Sequence, residues 1–373
     1  MFSSDYVHIF YHALMVKLFV TSLVLMVSVS ALIIIDIHSY MNDPIMSTST
    51  STSMNTSMNS AISPSSRNET VAIDDSRIDQ QGVELTVKAG ASFSMVAAQL
   101  QQLGVIDRPA YFKAWAIAKK HTQNIKPGEY VFISTQSPRQ VLYDLVSGKV
   151  KQYQITIVEG KRFKDFLSDL QQHPKIIKTI TDLDQVYQQF NIKHASLEGL
   201  FFPDTYTFDA HTTDMQILQQ SHQLLMSHLH RAWQNREINH HLSTPYEALV
   251  LASIVEKETS VAEERARIAG VFLTRLDKDM RLQTDPTVIY GLGEDFDGNL
   301  TRDHLRQANP YNTYVNKGLP PSPIALVSKA SIMAVMQPQY TGELYFVSKK
   351  DGTHHFSKTY QEHVQAVRKY QLN

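Results

Sequence analysis

The chain contains no cysteine, which excludes disulfides, thiol catalysis and cysteine-ligated zinc or iron–sulfur sites. That absence does not decide the compartment, because a large core outside the cytoplasm needs no disulfides. An excess of charge is missing too: 35 basic and 36 acidic residues leave a formal net charge of -1. Without a broad basic footprint, nucleic acid is not an expected partner. No HExxH pattern is present, and His228/His230, His240-His241 and His354-His355 lack acidic ligands at metal-site spacing, so they read as surface residues and no metal is expected. There is no P-loop or dinucleotide fingerprint, hence no implied cofactor, and no fixed-period repeat.

What is present is 373 residues, 43% of them hydrophobic, enough for two folded units together with tails or anchors. Leu18 to Ile35 (LFVTSLVLMVSVSALIII) carries no charge between Lys17 and Asp36. As a helix it spans roughly 27 Å at 1.5 Å per residue, matching a hydrocarbon core of about 30 Å. Ser28-Val29-Ser30-Ala31 resembles a signal-peptide cleavage site, but Leu32 to Ile35 continues the apolar run through it, so residues 18–35 are expected to be a retained transmembrane helix. Residues 1–17 then form a short cytoplasmic head and the body lies outside the cytoplasm. Residues 36–81, with the stretch STSTSTSMNTSMNSAISPSS, offer little to bury and read as a flexible tether. Random-coil scaling gives it a reach on the order of 35 Å.

Order begins near Gly82. Val83 to Lys88 alternates as a strand, Phe93 to Leu103 and Ala110 to Ala118 have helical periodicity, and Lys126-Pro127-Gly128 turns into a strand over Glu129 to Ile133. Strand, helix, helix, strand with a PGEY turn resembles a LysM-type glycan-binding module, placed at 82–150. Residues 151–373 read as a larger mixed α/β domain. Its helices are expected near Phe163 to Gln171, Met215 to Trp233, Pro245 to Lys257 and Val261 to Asp277, with a closing hairpin of Leu344 to Ser348 against His354 to Phe356.

Three stretches carry the chemistry: LEGLFFPDTYTF (197–208), LASIVEKET (251–259) and RLQTDPTVIY (281–290), followed by Tyr311-Asn312-Thr313-Tyr314 and Gly318-Leu319-Pro320-Pro321. In this order, behind an apolar helix and a LysM-like module, they resemble the endolytic murein transglycosylases of the YceG-like family over nearly the whole chain. The resemblance implies an enzyme that cuts the glycan strands of bacterial peptidoglycan beside the inner membrane, on its periplasmic side, near cell-wall synthases. It implies that the second glutamate of Glu256-Lys257-Glu258 is catalytic, which is Glu258.

The residues favour the same position. Thr244-Pro245-Tyr246-Glu247 is a capping box with proline in the first turn. Counting 100° per residue from that start, Val250, Leu251, Ile254 and Val255 share an apolar face whose centre lies near Glu258, while Glu256 points about 160° away. At the end of that face a carboxyl loses solvent and keeps its proton near neutral pH. Glu256 is the alternative if the helical phase is shifted, and the triplet read by itself is equally a solvated helix end. Gln283 and Asp285, in an extended turn before Pro286, together with Glu198, Asn312 and Tyr314, are candidate substrate contacts. Asp285 also reads as a helix cap, and Phe201 as core. The rival readings are a non-catalytic peptidoglycan-binding scaffold for synthases and a hydrolytic muramidase, which needs a second carboxylate from Asp285 or Glu198 facing Glu258.

Overall fold

The computed structural model describes residues 4–45, 82–237 and 242–372, with side chains from residue 14 onward. The chain is mixed α/β and divides into two compact units, Met1–Gln152 and Tyr153–Asn373.

In the first unit, β1 (Val83–Val87) and β2 (Gly128–Phe132) pair antiparallel, with Leu85 opposite Tyr130. The helices α2 (Phe93–Gln102), α3 (Pro109–Ala118) and α4 (Pro138–Ser147) bury Val96, Leu100, Phe112 and Leu145 against that ribbon. Local chemistry sets the helix ends. Ser92 accepts from Met95 N at 3.3 Å, and Ser137 with Gln140 forms a reciprocal box ahead of Pro138.

The apolar run is one helix, α1 (Ser4–Asn42), exposed along its hydrophobic stretch and long enough to cross a membrane. It does not stop where the tether was expected to begin. Residues 36–42 continue the helix and dock on the module: Met41 is fully buried, Asp36 accepts from Tyr111 Oη at 2.8 Å and pairs with Arg108 at 3.4 Å, and Tyr40 Oη accepts from Arg108 N at 3.2 Å. Ile45 N donates to Gln136 O at 2.7 Å, while Gly82 abuts Val131, Phe132 and Ile133. Residues 45 and 82 therefore flank the same turn, Ile133–Gln136. The remainder of the expected tether, 46–81, lies outside the described residues.

In the second unit, β3 (Tyr153–Thr156) pairs with β4 (Thr205–Phe208), so the end of LEGLFFPDTYTF is a strand. Around them lie α5 (Phe163–Gln172), α6 (Leu183–Gln189) and α7 (Asp214–Gln234), followed by α8 (Pro245–Glu258), α9 (Ala262–Asp277), α10 (Asp285–Leu292) and α11 (Lys329–Met336). A hairpin of β5 (Tyr345–Ser348) and β6 (His354–Ser357) and the helix α12 (Tyr360–Tyr370) close the chain.

The helix that matters is α8. Thr244 accepts from Glu247 N at 3.2 Å, and the Glu247 carboxylate accepts from Thr244 N at 3.2 Å, so the capping box fixes its start. From Ala248 to Val255 every residue is buried, because α7, α9, α10 and α11 all pack on it. Each buried Leu, Ile or Val contributes roughly 1.5–3 kcal/mol of transfer free energy. Gly270 lets the chain after α11 close on α9: a Cβ there would lie 2.1 Å from the Gln339 carbonyl oxygen. The core thus grips the middle of α8 and releases it to the surface at its C-terminal turn, where Glu258 is the last helical residue.

Candidate active site

A cavity of about 480 Å³ opens at that turn, lined by Glu258, Arg275, Gln283, Asp285 and Tyr314 on one side and by the C-terminal hairpin and α12 on the other. Its size falls within the usual range of ligand clefts, about 300–1,000 Å³.

Glu258 sits partly buried on its floor and accepts a hydrogen bond from the Thr284 hydroxyl. Burial pushes its carboxyl up to about 7, the Asp285 charge adds to the rise, and the Thr284 bond and Arg275 only partly oppose it. The acid therefore carries its proton for much of the time near neutral pH.

The wall facing it is built by hydrogen bonds. Arg275, buried on α9, donates from Nη1 to Arg281 O at 3.1 Å and Leu282 O at 2.7 Å, and from Nε to Leu344 O at 2.6 Å, tying the RLQTD stretch to the strand hairpin. Gln283 N donates to Thr313 O at 3.2 Å and Thr284 N to Thr313 Oγ1 at 3.1 Å. These ties hold Gln283 at φ +53°, a left-handed conformation that costs a side-chain-bearing residue energy and is found disproportionately at functional sites. Thr284 is then the residue before α10, and Asp285 is its first helical residue rather than part of an extended turn. Tyr314 Oη donates to Asp285 Oδ1 at 2.6 Å, and burial followed by that bond raises the phenol above its ordinary range.

Of the sequence candidates, the structure brings Glu258, Gln283, Asp285 and Tyr314 to one cavity. Three others lie elsewhere. Asn312 is buried, donating to His304 O at 3.1 Å and Gln307 O at 2.8 Å and accepting from Tyr314 N at 3.0 Å, so it shapes the loop that carries Tyr314. Glu198 is buried, accepting from Phe163 N at 2.8 Å and Tyr290 Oη at 3.3 Å. Glu256 accepts from Ser328 N at 2.9 Å and Ser328 Oγ at 2.5 Å, at the start of α11, so it is not a solvated helix end.

The histidines correct the surface reading. His354 lines the cavity, its side chain is 10% exposed, and it does have an acidic partner: Glu264 of α9 accepts from His354 N at 2.9 Å and lies 2.7 Å from Nδ1. His363, also lining the cavity, stacks on Tyr345 at 5.1 Å, and burial lowers its basicity. His240-His241 lie outside the described residues. Sequence reasoning also passed over Arg275, Tyr345 and Tyr360. Their one visible signal was density of polar and aromatic residues in the final hairpin, which says nothing about where that hairpin docks. Among the described residues no cluster of three or more His, Asp or Glu side chains forms a metal site.

With this geometry, the relatives fall into place. The profile of the YceG-like family matches residues 85–369. A Bacillus subtilis protein named endolytic murein transglycosylase is 32% identical over 313 residues, covering 77% of this chain and 84% of that protein. A Streptococcus pneumoniae protein of the same name is 26% identical over 318 residues, with 75% of this chain covering 57% of its length. A crystal structure of a yceG-like protein from Listeria monocytogenes aligns with a TM-score of 0.50 at 29% identity, covering 76% of this chain and 98% of that one. Both the matched span and the identity to a relative covered over most of its length establish that the chain belongs to the YceG-like family.

Proposed function

We propose that the protein is an endolytic murein transglycosylase, a lyase that cuts peptidoglycan glycan strands while held at the membrane by α1. The observation that carries this reading is Glu258: a carboxyl delivered by a fully packed helix to the floor of a polar cleft, with burial holding its pKa near 7.

Cleavage between N-acetylmuramic acid and N-acetylglucosamine begins with proton delivery to the bridging oxygen. Glu258 is the acid for that step. The carboxylate left on Glu258 then acts as the base: it takes the proton from the muramic C6 hydroxyl, whose oxygen attacks the anomeric carbon, giving a 1,6-anhydro end without consuming water. Gln283, Asp285 and Tyr314 present amide, carboxylate and phenol groups suited to sugar hydroxyls and acetamido groups. The βααβ unit at 82–150 acts as a LysM-like glycan-binding module. With the short N-terminal head in the cytoplasm, the βααβ module and the second unit stand in the periplasm beside the inner membrane, where nascent strands and their synthases lie.

A hydrolytic reading has one observation in its favour, since Asp285 lines the same cavity as Glu258 and is a possible second carboxylate. Mass spectrometry of digested, uncrosslinked glycan separates the outcomes. Anhydro ends are expected; new reducing ends would establish a muramidase, and uncut strands with retained binding would leave a scaffold.

A further inference from the structure

Helix α1 meets the module at three heights. Nearest the apolar run, Tyr111 and Arg108 both bond Asp36, and His38 meets the Trp115 ring edge-on at 5.6 Å, so this level belongs to α3. Next along the helix, Met41 is buried in the module core. Farthest along, Asn42 accepts from Arg139 of α4 at 3.4 Å and Ile45 bonds Gln136 in the turn before α4. Helix α3 is thus the element of the module nearest Ile35, where the uncharged stretch ends. Its core side carries Phe112 and Ala116, both fully buried. On the opposite side Ala110, Lys113, Ala114, Ile117 and Ala118 are exposed, Ile117 at 58%. Because the core lies farther along α1 than α3 does, this opposite side faces the plane in which the apolar run ends. Its composition suits that plane. Positions 110, 114, 117 and 118 make an uncharged stripe at helical spacing, residues 108–121 include four Lys or Arg and no Asp or Glu, and Lys119 lies over the Trp115 ring at 5.3 Å. An apolar stripe bordered by lysines and an aromatic ring is the pattern of helices that lie in a bilayer interface, with stems among the lipids and ammonium groups at the phosphates.

Resting on the reading that α1 spans the membrane, we infer that the exposed face of α3 lies on the phospholipid headgroup layer of that same bilayer. Ala110, Ala114, Ile117 and Ala118 meet the lipid surface, and Lys113, Lys119 and Lys120 reach the lipid phosphates. The occupant is lipid rather than a second copy or a soluble protein for two reasons. The face continues the exposed apolar surface of α1 at the point where α1 leaves the module, and its charge is complementary to phosphate. The module is then attached to the bilayer at two places, α1 and α3. The bonds of Tyr111 and Arg108 to Asp36 set the angle between them, so the module cannot swing about the end of α1.

Since the chain has no cysteine, one introduced cysteine carries a single nitroxide label. Full-length Val27→Cys, Thr86→Cys and Ile117→Cys are each labelled and reconstituted in vesicles of phosphatidylethanolamine and phosphatidylglycerol. Collision of the label with oxygen, which concentrates in lipid, and with a water-soluble nickel chelate is then read by electron paramagnetic resonance. Val27 lies in the middle of the apolar run, and Thr86, between the buried Leu85 and Val87, points to the face of the ribbon away from the helices. The label at 117 is expected to lose nickel access and gain oxygen access relative to the label at 86, and to lie shallower than the label at 27. Nickel access at 117 equal to that at 86 overturns the inference. So does protection at 117 that disappears when the protein is diluted in lipid, since that marks a second copy. Should the labelled Ile117→Cys protein fail to melt as wild type does, Ala114→Cys decides by the same comparison. A label at 27 open to the nickel chelate removes the membrane-spanning reading itself; a label at 27 in lipid with one at 117 in water removes only the contact of α3.

Discussion

Glu198 and Glu258 belong to two regions of the second unit with the same electrostatic signature and opposite surroundings. Burial pushes both carboxyls up to about 7. Glu198, however, faces protein: it accepts from Phe163 N and Tyr290 Oη and so joins the start of α5 to α10. Glu258 faces a cavity and receives one side-chain hydroxyl, that of Thr284. A raised carboxyl pKa here reports desolvation first; whether the proton can be passed on depends on what the group faces.

The strongest way to break that contrast is Glu258→Gln. It keeps the volume and most hydrogen bonding but has no carboxyl proton to give, so cleavage should fall by about 10⁴-fold or more while glycan binding and melting temperature stay near wild type. An active Glu258→Gln enzyme would move the acid elsewhere.

The pH dependence sharpens the same point. In the proposed mechanism Glu258 starts protonated, so the rate should fall on the alkaline side as pH rises through about 7. Stability has the same sign. A carboxyl raised from 4.5 to about 7 on folding binds more protons in the native than in the unfolded state over that interval. Its contribution is complete below the unfolded value and is lost as pH climbs through the folded one. The melting temperature of Glu258→Gln, near that of wild type at about pH 5, should therefore rise relative to it as pH climbs towards about 8. A parallel pair of melting curves would contradict the buried, protonated acid.

Glu198→Ala should have the reverse profile. It strands the buried Phe163 N–H, removes a partner of the Tyr290 hydroxyl and should cost about 2–4 kcal/mol in urea unfolding, with far less effect on kcat below the melting transition than Glu258→Gln. Glu256→Gln should cost about 1 kcal/mol or less, through a weakened bond to Ser328 at the start of α11, and leave cleavage nearly intact. The smallest effect is expected for replacing residues 46–81 by a short Gly/Ser loop. Since residues 45 and 82 flank one turn, the melting temperature and the activity on soluble and membrane-proximal glycan should all stay at wild-type levels. A loss on membrane-proximal strands alone would restore the spacer reading of that segment.

Much of the secondary structure was legible because local rules dominate it. The capping box at Thr244 and Glu247, the proline at 245 and the largely apolar run behind them specify α8, and the alternation of Val83 to Val87 specifies β1. Four helices were passed over: α6, α10, α11 and α12. The first three have seven or eight residues, and Pro286 and Gly291 punctuate α10. Too few turns are present there for a helical period to emerge. Strand β4 hid inside an aromatic stretch that also fits a binding groove.

The site divides along the same line. Periodicity along α8 already separates Glu256 from Glu258, because residues i and i+2 on a helix point about 160° apart and cannot serve one cleft together. The sequence equally determined the apolar helix and the family, each of which rests on residues contiguous in the chain. Only the tertiary structure decided that Asn312 and Glu198 spend their hydrogen bonds inside the protein. It alone decided that residues 36–42 dock on the module, and that His354 meets Glu264 across 90 residues beside the Glu258 cleft. The physical reason is that local propensity and capping act over a few residues, whereas desolvation, pairing and cavity shape are set by side chains that only close packing brings together.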